Sequence, residues 1–572
     1  MKRLSFLLSF LSLSLAAQAL EFEFTYLSAT NPTPNNAAEI LTYTKDGFRV
    51  GATFSDNVNV DPNLHSYGAI TYQMNSQGVL FGETVIDFKP LVPNSFVTSI
   101  AFDPAGRGFG VVSIVPNADQ DAVGKIGFYN YRTGQILGTA DVGYHPDAVT
   151  FSPDGGRIIV SNEGEHPVDF ATNPKSVPGS LSVIDVSGIL DVNTAPLSQF
   201  AGLPSITRDF SNVNISQARL VPGGPMPLFH QIEPEYATVF GNKVYVTLQE
   251  ANAVGVFNLA PTLAGSDWEG IRSLGTITQK IDGSNVDGPG NTPKASVTST
   301  VRGLPMPDNI AAYEANGVTY YVTANEGDAR GDNADVGTVA TLKTEGKLDP
   351  SLTSGPGDIT TNDKLGPLNI SRIDGDTNGD GLIDVPTMLG TRSFSIWRAS
   401  DGALVYDSGS LESIILALDP TTHNINRTLA TFDARSTQKG PEPESLTIGA
   451  FDGRTMLILG MERQNGLFAF DITNPLAVKF DNDYFNTLTD RATDNNFLLS
   501  PESVVWIKAE DSPTGRALIL AGHEGTGLAN NTDGILVLSS VPEPSTVLFG
   551  VCCVSAAALS RRRGRSGGSL VG

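Results

Sequence analysis

Carboxylates recur along this chain in pairs, one directly after a proline and its mate 15 to 22 residues later. The pairs are Asp147 with Glu163, Glu235 with Glu250, Asp308 with Glu326, Glu444 with Glu462, and Glu502 with Glu524. Carboxylates gathered within a few ångströms disfavour one another's charged form, so such a set calls for positive charge. Hard divalent cations held by oxygen ligands meet that demand, Ca²⁺ first and other divalent metals after it. His145, His166, His230 and His523 lie in the same segments, and mixed imidazole and carboxylate sets also suit Zn²⁺, Mn²⁺ or Fe. Arg330 and Arg463 closely follow two of the glutamates, so cations of the protein itself are an alternative counter-charge. A purely structural role, capping strand ends, is the plainer alternative for most of these acids.

A separate acidic run, Asp376, Asn378, Asp380 and Asp384, offers oxygens at positions one, three and five, with Gly381 at six and Ile383 at eight. This spacing matches the Ca²⁺ loop of EF-hands and dockerins, but Thr387 stands where the bidentate acid belongs. The alternative is a plain Asp/Gly turn. Residues 20–540 contain no phosphate-cradling Gly-rich loop with Lys-Ser/Thr, no His-Glu-x-x-His helix and no Gly-x-Ser-x-Gly elbow. Two functions follow. One is a non-catalytic surface or matrix module binding divalent cations, with extracellular polysaccharide or surface proteins as further partners. The other is a metal-dependent phosphoesterase, for which His523, Arg330 and Arg463 are the catalytic candidates.

The elements that must position these acids are hairpins. After His145-Pro146-Asp147 comes an alternating strand, a Pro-Asp-Gly turn at 153–155, a returning strand, and Glu163. Antiparallel pairing sets the start of one strand beside the end of the other, so Asp147 and Glu163 should be neighbours. The same plan returns at 233–257, 306–326, 442–470 and 500–538, and with weaker acids at 39–72 and 95–131. Repeated small meanders that cannot bury both faces alone predict an all-β, seven-bladed β-propeller. An orphan strand at 21–27 should close the last blade. A sandwich or several separate domains is the alternative. Stretches 169–178, 191–225, 284–293 and 331–374 are rich in Gly, Pro, Asn, Ser and Thr and read as long loops decorating one domain.

The net charge of −24 disfavours nucleic acid and favours divalent cations. Residues 1–19 read as a secretory signal: a basic start, an apolar stretch, then Ala17-Gln18-Ala19. The alternative is a retained anchor helix. The domain would then span 20–540. Val541-Pro542-Glu543-Pro544, an apolar stretch at 546–559 and a cluster from Arg561 to Arg565 make up 541–565, which resembles a PEP-CTERM sorting signal. That resemblance implies an exosortase partner, removal of the tail, and delivery to the envelope or extracellular matrix after transient membrane anchoring. The alternative is a permanent tail anchor. Both cysteines, Cys552 and Cys553, fall in the tail, so the exported domain would hold no disulfide.

His145-Pro146-Asp147 with Ser161-Asn162-Glu163-Gly164, Leu304 through Asp308, Ala324 through Arg330, Arg392 through Trp397, Lys439 through Glu444, and Gly522-His523-Glu524 together resemble the choice-of-anchor I domain family over roughly 24–540. The resemblance implies a bacterial surface or secreted propeller-like protein with an interchangeable C-terminal anchor. It also implies kinship with mesenchyme-specific cell-surface glycoproteins, and some members are described as alkaline phosphatases. The second unit lacks the acid pair.

Overall fold

Apolar runs rich in β-branched and aromatic residues form strands here, and the strands assemble into antiparallel sheets. The computed structural model describes residues 22–31, 36–56, 67–116, 122–164, 177–194, 196–222, 226–286, 295–330, 335–490, 498–526 and 532–540. The expected leader, the sorting segment with both cysteines, and His166 lie outside them. Among the described residues no helix is long and apolar enough to cross a membrane.

Seven sheets have four strands or more. Setting aside the short strands at 36–43 and the N-terminal Phe24–Thr30, in chain order they begin with Arg49–Asp56, Ser95–Phe102, Pro146–Phe151, Pro234–Phe240, Ile310–Ala315, Pro443–Phe451 and Pro501–Ile507. Each of these first strands touches the first strand of the next sheet, and the last touches Leu41–Tyr43, which pairs with Arg49–Asp56. Middle strands such as Arg157–Asn162, Ser180–Asp185 and Leu518–His523 are covered on both faces. This explains their continuous apolar runs, whereas outer strands such as Asp267–Ser273 are largely open and polar.

A separate apolar cluster fills the gap between every two neighbouring sheets. Phe109 and Phe128 meet Ile158 and Ile184 between the second and third, and Ile458 and Leu467 meet Trp506 and Ile519 between the sixth and seventh. Val50 and Ile70 of the first sheet meet Leu520 and Val537 of the seventh. The remaining gaps are filled in the same way.

The strand expected at 21–27 forms at Phe24–Thr30 and pairs antiparallel with Gly534–Ser540, completing the seventh sheet. The stretch read as a loop at 331–374 is more ordered than its composition suggests. It contains the paired strands Val336–Thr338 and Asn369–Ser371 and a short helix at Val339–Thr344. Ile281, Val301, Val339, Leu342, Ile370 and Met388 give this region its own small core. Those few apolar residues are scattered among Gly, Ser, Thr and Asp, which hid the core from a composition reading.

Candidate functional site

One local device sets the acid pairs. His145, Met306, Glu442 and Ser500, each the residue before the proline, have φ of 46°, 44°, 56° and 58°. A non-glycine residue is seldom found there, and one before proline normally stays extended. The turned carbonyl takes a hydrogen bond from the far end of the hairpin. Glu163 N–H donates to His145 O at 2.9 Å, Glu462 N–H to Glu442 O at 2.9 Å, and Glu524 N–H to Ser500 O at 3.1 Å. The pairing register then slips just after Pro146, Pro234, Pro443 and Pro501. Such bulges take Asp147, Glu235, Glu444 and Glu502 out of the regular ladder and re-aim their side chains. Hydroxyls of the preceding sheet brace the same points: Thr98 Oγ1 donates to Pro146 O at 2.7 Å and Thr247 Oγ1 to Asp308 O at 2.8 Å.

The acids converge on one cavity of about 490 Å³. Of the ten expected residues, Glu163, Glu235, Glu250, Asp308, Glu326, Glu444, Glu462, Glu502 and Glu524 line it, joined by Glu233 and Asp328. Arg330, Arg427, Lys439 and Arg463 are its basic residues, outnumbered more than two to one. Asp147, Glu163 and Glu235 offer ligand atoms within 4.8 Å of one another, as do Asp308, Glu326 and Glu444, and Glu462, Glu502 and Glu524. All three sets combine acids from adjacent sheets. Glu250 joins no such set and interacts with Arg330 instead.

The acids divide into two electrostatic kinds. Glu326 is paired with Lys439; Glu462 lies 2.8 Å from Arg427 and 2.7 Å from Arg463; Glu524 also meets Arg427. Glu442, fully buried, receives Arg435, Arg463 at 3.3 Å and Lys439 at 3.5 Å. Burial opposes its ionisation, yet these three cations overcome it and hold the carboxyl at about 2. By contrast, burial and then neighbouring carboxylates push Glu235, Asp308, Glu444 and Glu502 well above the usual range. Burial, with Glu442 next, raises Glu462 to about 8, and burial against Arg330 leaves Glu250 at about 7. Glu250 Oε2, Asp308 Oδ2 and Glu444 Oε2 are buried with no hydrogen-bond partner.

The catalytic candidates are placed differently from one another. Arg463 sits on Glu442 and Glu462. Arg330 lines the cavity, but its guanidinium donates to Arg219 O at 3.0 Å and Gln231 O at 3.1 Å. His523 is fully buried and faces Pro501 across the sheet, as Asn162 faces Pro146, and it does not line the cavity. His145 Nδ1 lies 3.1 Å from Glu163. Sequence reasoning passed over Lys439, Arg427, Arg435 and Glu442 as site residues. The run Lys439-Gly440-Pro441-Glu442 was their visible signal.

The loop at 376–384 is exposed and internally satisfied. Asp376 accepts from Gly379 N–H at 2.7 Å and Gly381 N–H at 2.9 Å, and Asp384 accepts from Thr377 N–H at 2.8 Å and Asn378 Nδ2 at 2.9 Å. Asn378 and Asp380 accept from Asp380 N–H and Leu382 N–H. Thr387, at position twelve, is buried in the strand Thr387–Leu389.

The family model of the choice-of-anchor I domain matches residues 70–475. Gigasin-3a of Magallana gigas is 29% identical over 179 residues, 28% of this chain and 62% of that relative's length. Among solved structures, the periplasmic gluconolactonase of Pseudomonas aeruginosa aligns with a TM-score of 0.37 and 13% identity, over 78% of this chain and 84% of that one. A chain of the mitotic checkpoint complex aligns with a TM-score of 0.42 and 9% identity, over 95% and 99%.

Proposed function

The chain belongs to the choice-of-anchor I domain family, and from that membership and its acidic cavity we propose an exported, surface- or matrix-associated protein that binds divalent cations, Ca²⁺ first. The family name suggests a surface protein, and the sequence at 1–19 and 541–565 is consistent with export and sorting. In this reading the seven sheets are the blades of a seven-bladed β-propeller. Two features support the ring: the run of first-strand contacts from sheet to sheet, and the apolar cluster shared by the seventh and first sheets. The acid pairs then surround one mouth of the central channel.

One observation carries the ligand assignment. Asp308 and Glu444 are neighbours with a buried oxygen each lacking a donor, and both carboxyls are pushed well up. A hard cation supplies the missing charge and the missing contact together. The test is calorimetric titration of Ca²⁺ into the chain and into a Glu444→Gln/Glu502→Gln variant. Heat of binding in the first and at least a tenfold weaker response in the second is the expected result. Equal binding in both removes the mouth as the site.

A metal-dependent phosphoesterase at the same mouth is the second reading, favoured by Arg427, Arg463 and Lys439 in the cavity wall. Each is engaged with a carboxylate, so a phosphate must compete for it or reach it through bound metal. Phosphomonoester turnover with Ca²⁺, lost with chelator, would support it.

A further inference from the structure

Two of the four basic residues lining the mouth, Arg427 and Lys439, share one origin. Arg427, Arg435 and Lys439 belong to the strap at 419–441, between the helix Glu412–Leu418 and the strand Pro443–Phe451. His423 and Asp433 of the same strap form a second cluster with Asp282, outside the cavity lining: all three are buried, with ligand atoms within 4.8 Å of one another. His423 is completely enclosed, and one ring nitrogen, Nε2, lies 3.1 Å from Asp282 Oδ2. That spacing is close to the ~3.0–3.5 Å separating two ligands on an ion with bonds of about 2.1 Å. Its other nitrogen, Nδ1, has no hydrogen-bond partner, and neither has Oδ1 of the adjoining, fully buried Asn424.

Arg392, also fully buried, is 2.6 Å from Glu412, which takes up its charge, and donates to the backbone carbonyl of Asp282 at 2.7 Å. Asp282 accepts from Ser296 N–H at 3.0 Å, and its recorded ion pair among the described residues is with His423. Two buried carboxylates beside one imidazole, which can give an ion only one of its two nitrogens, form a mixed N/O donor set, which suits a borderline divalent ion better than Ca²⁺.

We propose that Asp282, His423 and Asp433 hold a structural divalent metal ion of the zinc and manganese class, distinct from the cations of the mouth. The ion ties the strap to the segment after Ile277–Ile281. The strap is folded back on itself there, with Asp433 N–H donating to His423 O at 3.1 Å and Arg435 N–H to Asn424 O at 2.9 Å. Fixing His423 and Asp433 therefore fixes Arg427 and Arg435, whose side chains reach Glu462, Glu524 and Glu442. The buried ion thus sets how many mouth acids are neutralised by protein and how many are left for other cations.

Metal analysis tests this on the full chain, loaded separately with Zn²⁺ and Mn²⁺, desalted, and examined by X-ray absorption at the metal edge. The expected result is about one tightly retained equivalent with imidazole in its ligand shell. It is retained in Glu444→Gln/Glu502→Gln and lost in His423→Ala and in Asp433→Asn. His423→Ala empties a fully enclosed position and can unfold the strap, so the absorption spectrum of the unsubstituted chain tests the proposal on its own. An all-oxygen shell, no retained equivalent of either metal, or unchanged stoichiometry in folded Asp433→Asn overturns it.

Discussion

The mouth and the loop at 376–384 carry the same functional groups in opposite states. In the loop the acids are exposed and accept backbone amides, and those amides lower the carboxyl of Asp376. At the mouth, Asp308 is buried and Glu444 half-buried, each has one enclosed oxygen lacking a donor, and both carboxyls are pushed upward by burial and then by neighbouring carboxylates, Glu326 first. Acid count alone therefore does not decide where an ion is needed. A carboxylate already satisfied by amides gains little from an ion, whereas a buried one without donors exchanges a proton for it. The mouth repeats the contrast internally, since Glu442 lies two residues from Glu444 and is satisfied by three cations.

The sharpest way to break this division is substitution at those two neighbouring glutamates. Glu442→Gln strands Arg435, Arg463 and Lys439 around a neutral amide, and loss of one partner of a buried ionic set costs about 3–5 kcal/mol. Glu444→Gln, measured with chelator present, replaces a carboxyl that already favours its protonated form, so stability should be nearly unchanged. Urea unfolding of both variants distinguishes them, and equal losses would erase the distinction between satisfied and unsatisfied acids.

The next effect is pH dependence. Glu250 and Glu462 have folded-state values of about 7 and about 8, above the ordinary carboxyl value of 4.5. The folded, ion-free chain therefore binds more protons than the unfolded one between pH ~4.5 and ~8, and stability falls as pH rises through that window. Glu442 acts oppositely: its contribution is present above its ordinary 4.5 and is lost as pH falls toward about 2. The unfolding midpoint in chelator should drop from pH 6 to pH 8.5, and Ca²⁺ should reverse the drop. Calcium binding should release protons and tighten about tenfold per pH unit for each proton displaced. A midpoint flat across the window would mean that the raised acids are not buried as described.

The part of this site that was legible in the sequence is the part set by local pattern. The alternation around Pro146–Phe151 and Arg157–Asn162, with its Asp154-Gly155 turn, specified a hairpin and hence Asp147 beside Glu163. The orphan N-terminal strand was legible because the last unit lacked one. The pairing of acids across sheets, Glu444 with Asp308 for example, depends on how neighbouring sheets meet and on bulges after proline, which no local pattern records. The strap was hidden for a related reason. His423, Asp433 and Lys439 become meaningful only once Asp282 and Glu326, more than a hundred residues away, are placed against them.

The smallest effect, and the finest test of the comparison, is at the loop. Asp376→Asn gives up one of the two oxygens that accept from Gly379 N–H and Gly381 N–H, but the site it alters is exposed, where the freed amide can turn to water. Position twelve cannot supply the missing ligand, because Thr387 is enclosed in a strand with its hydroxyl donating to Val385 O at 3.0 Å. Asp376→Asn/Asp380→Asn should therefore leave the Ca²⁺-induced rise in unfolding midpoint intact, while Glu444→Gln/Glu502→Gln removes most of it. The loop joins the small core around Leu348 and Ile383 and not the sheets that carry the mouth, so ion binding there should protect only nearby amides in hydrogen exchange. If the loop variant instead abolishes the global shift, the dominant ion sits at 376–384, and the unsatisfied carboxyls of the mouth keep their protons in the working protein.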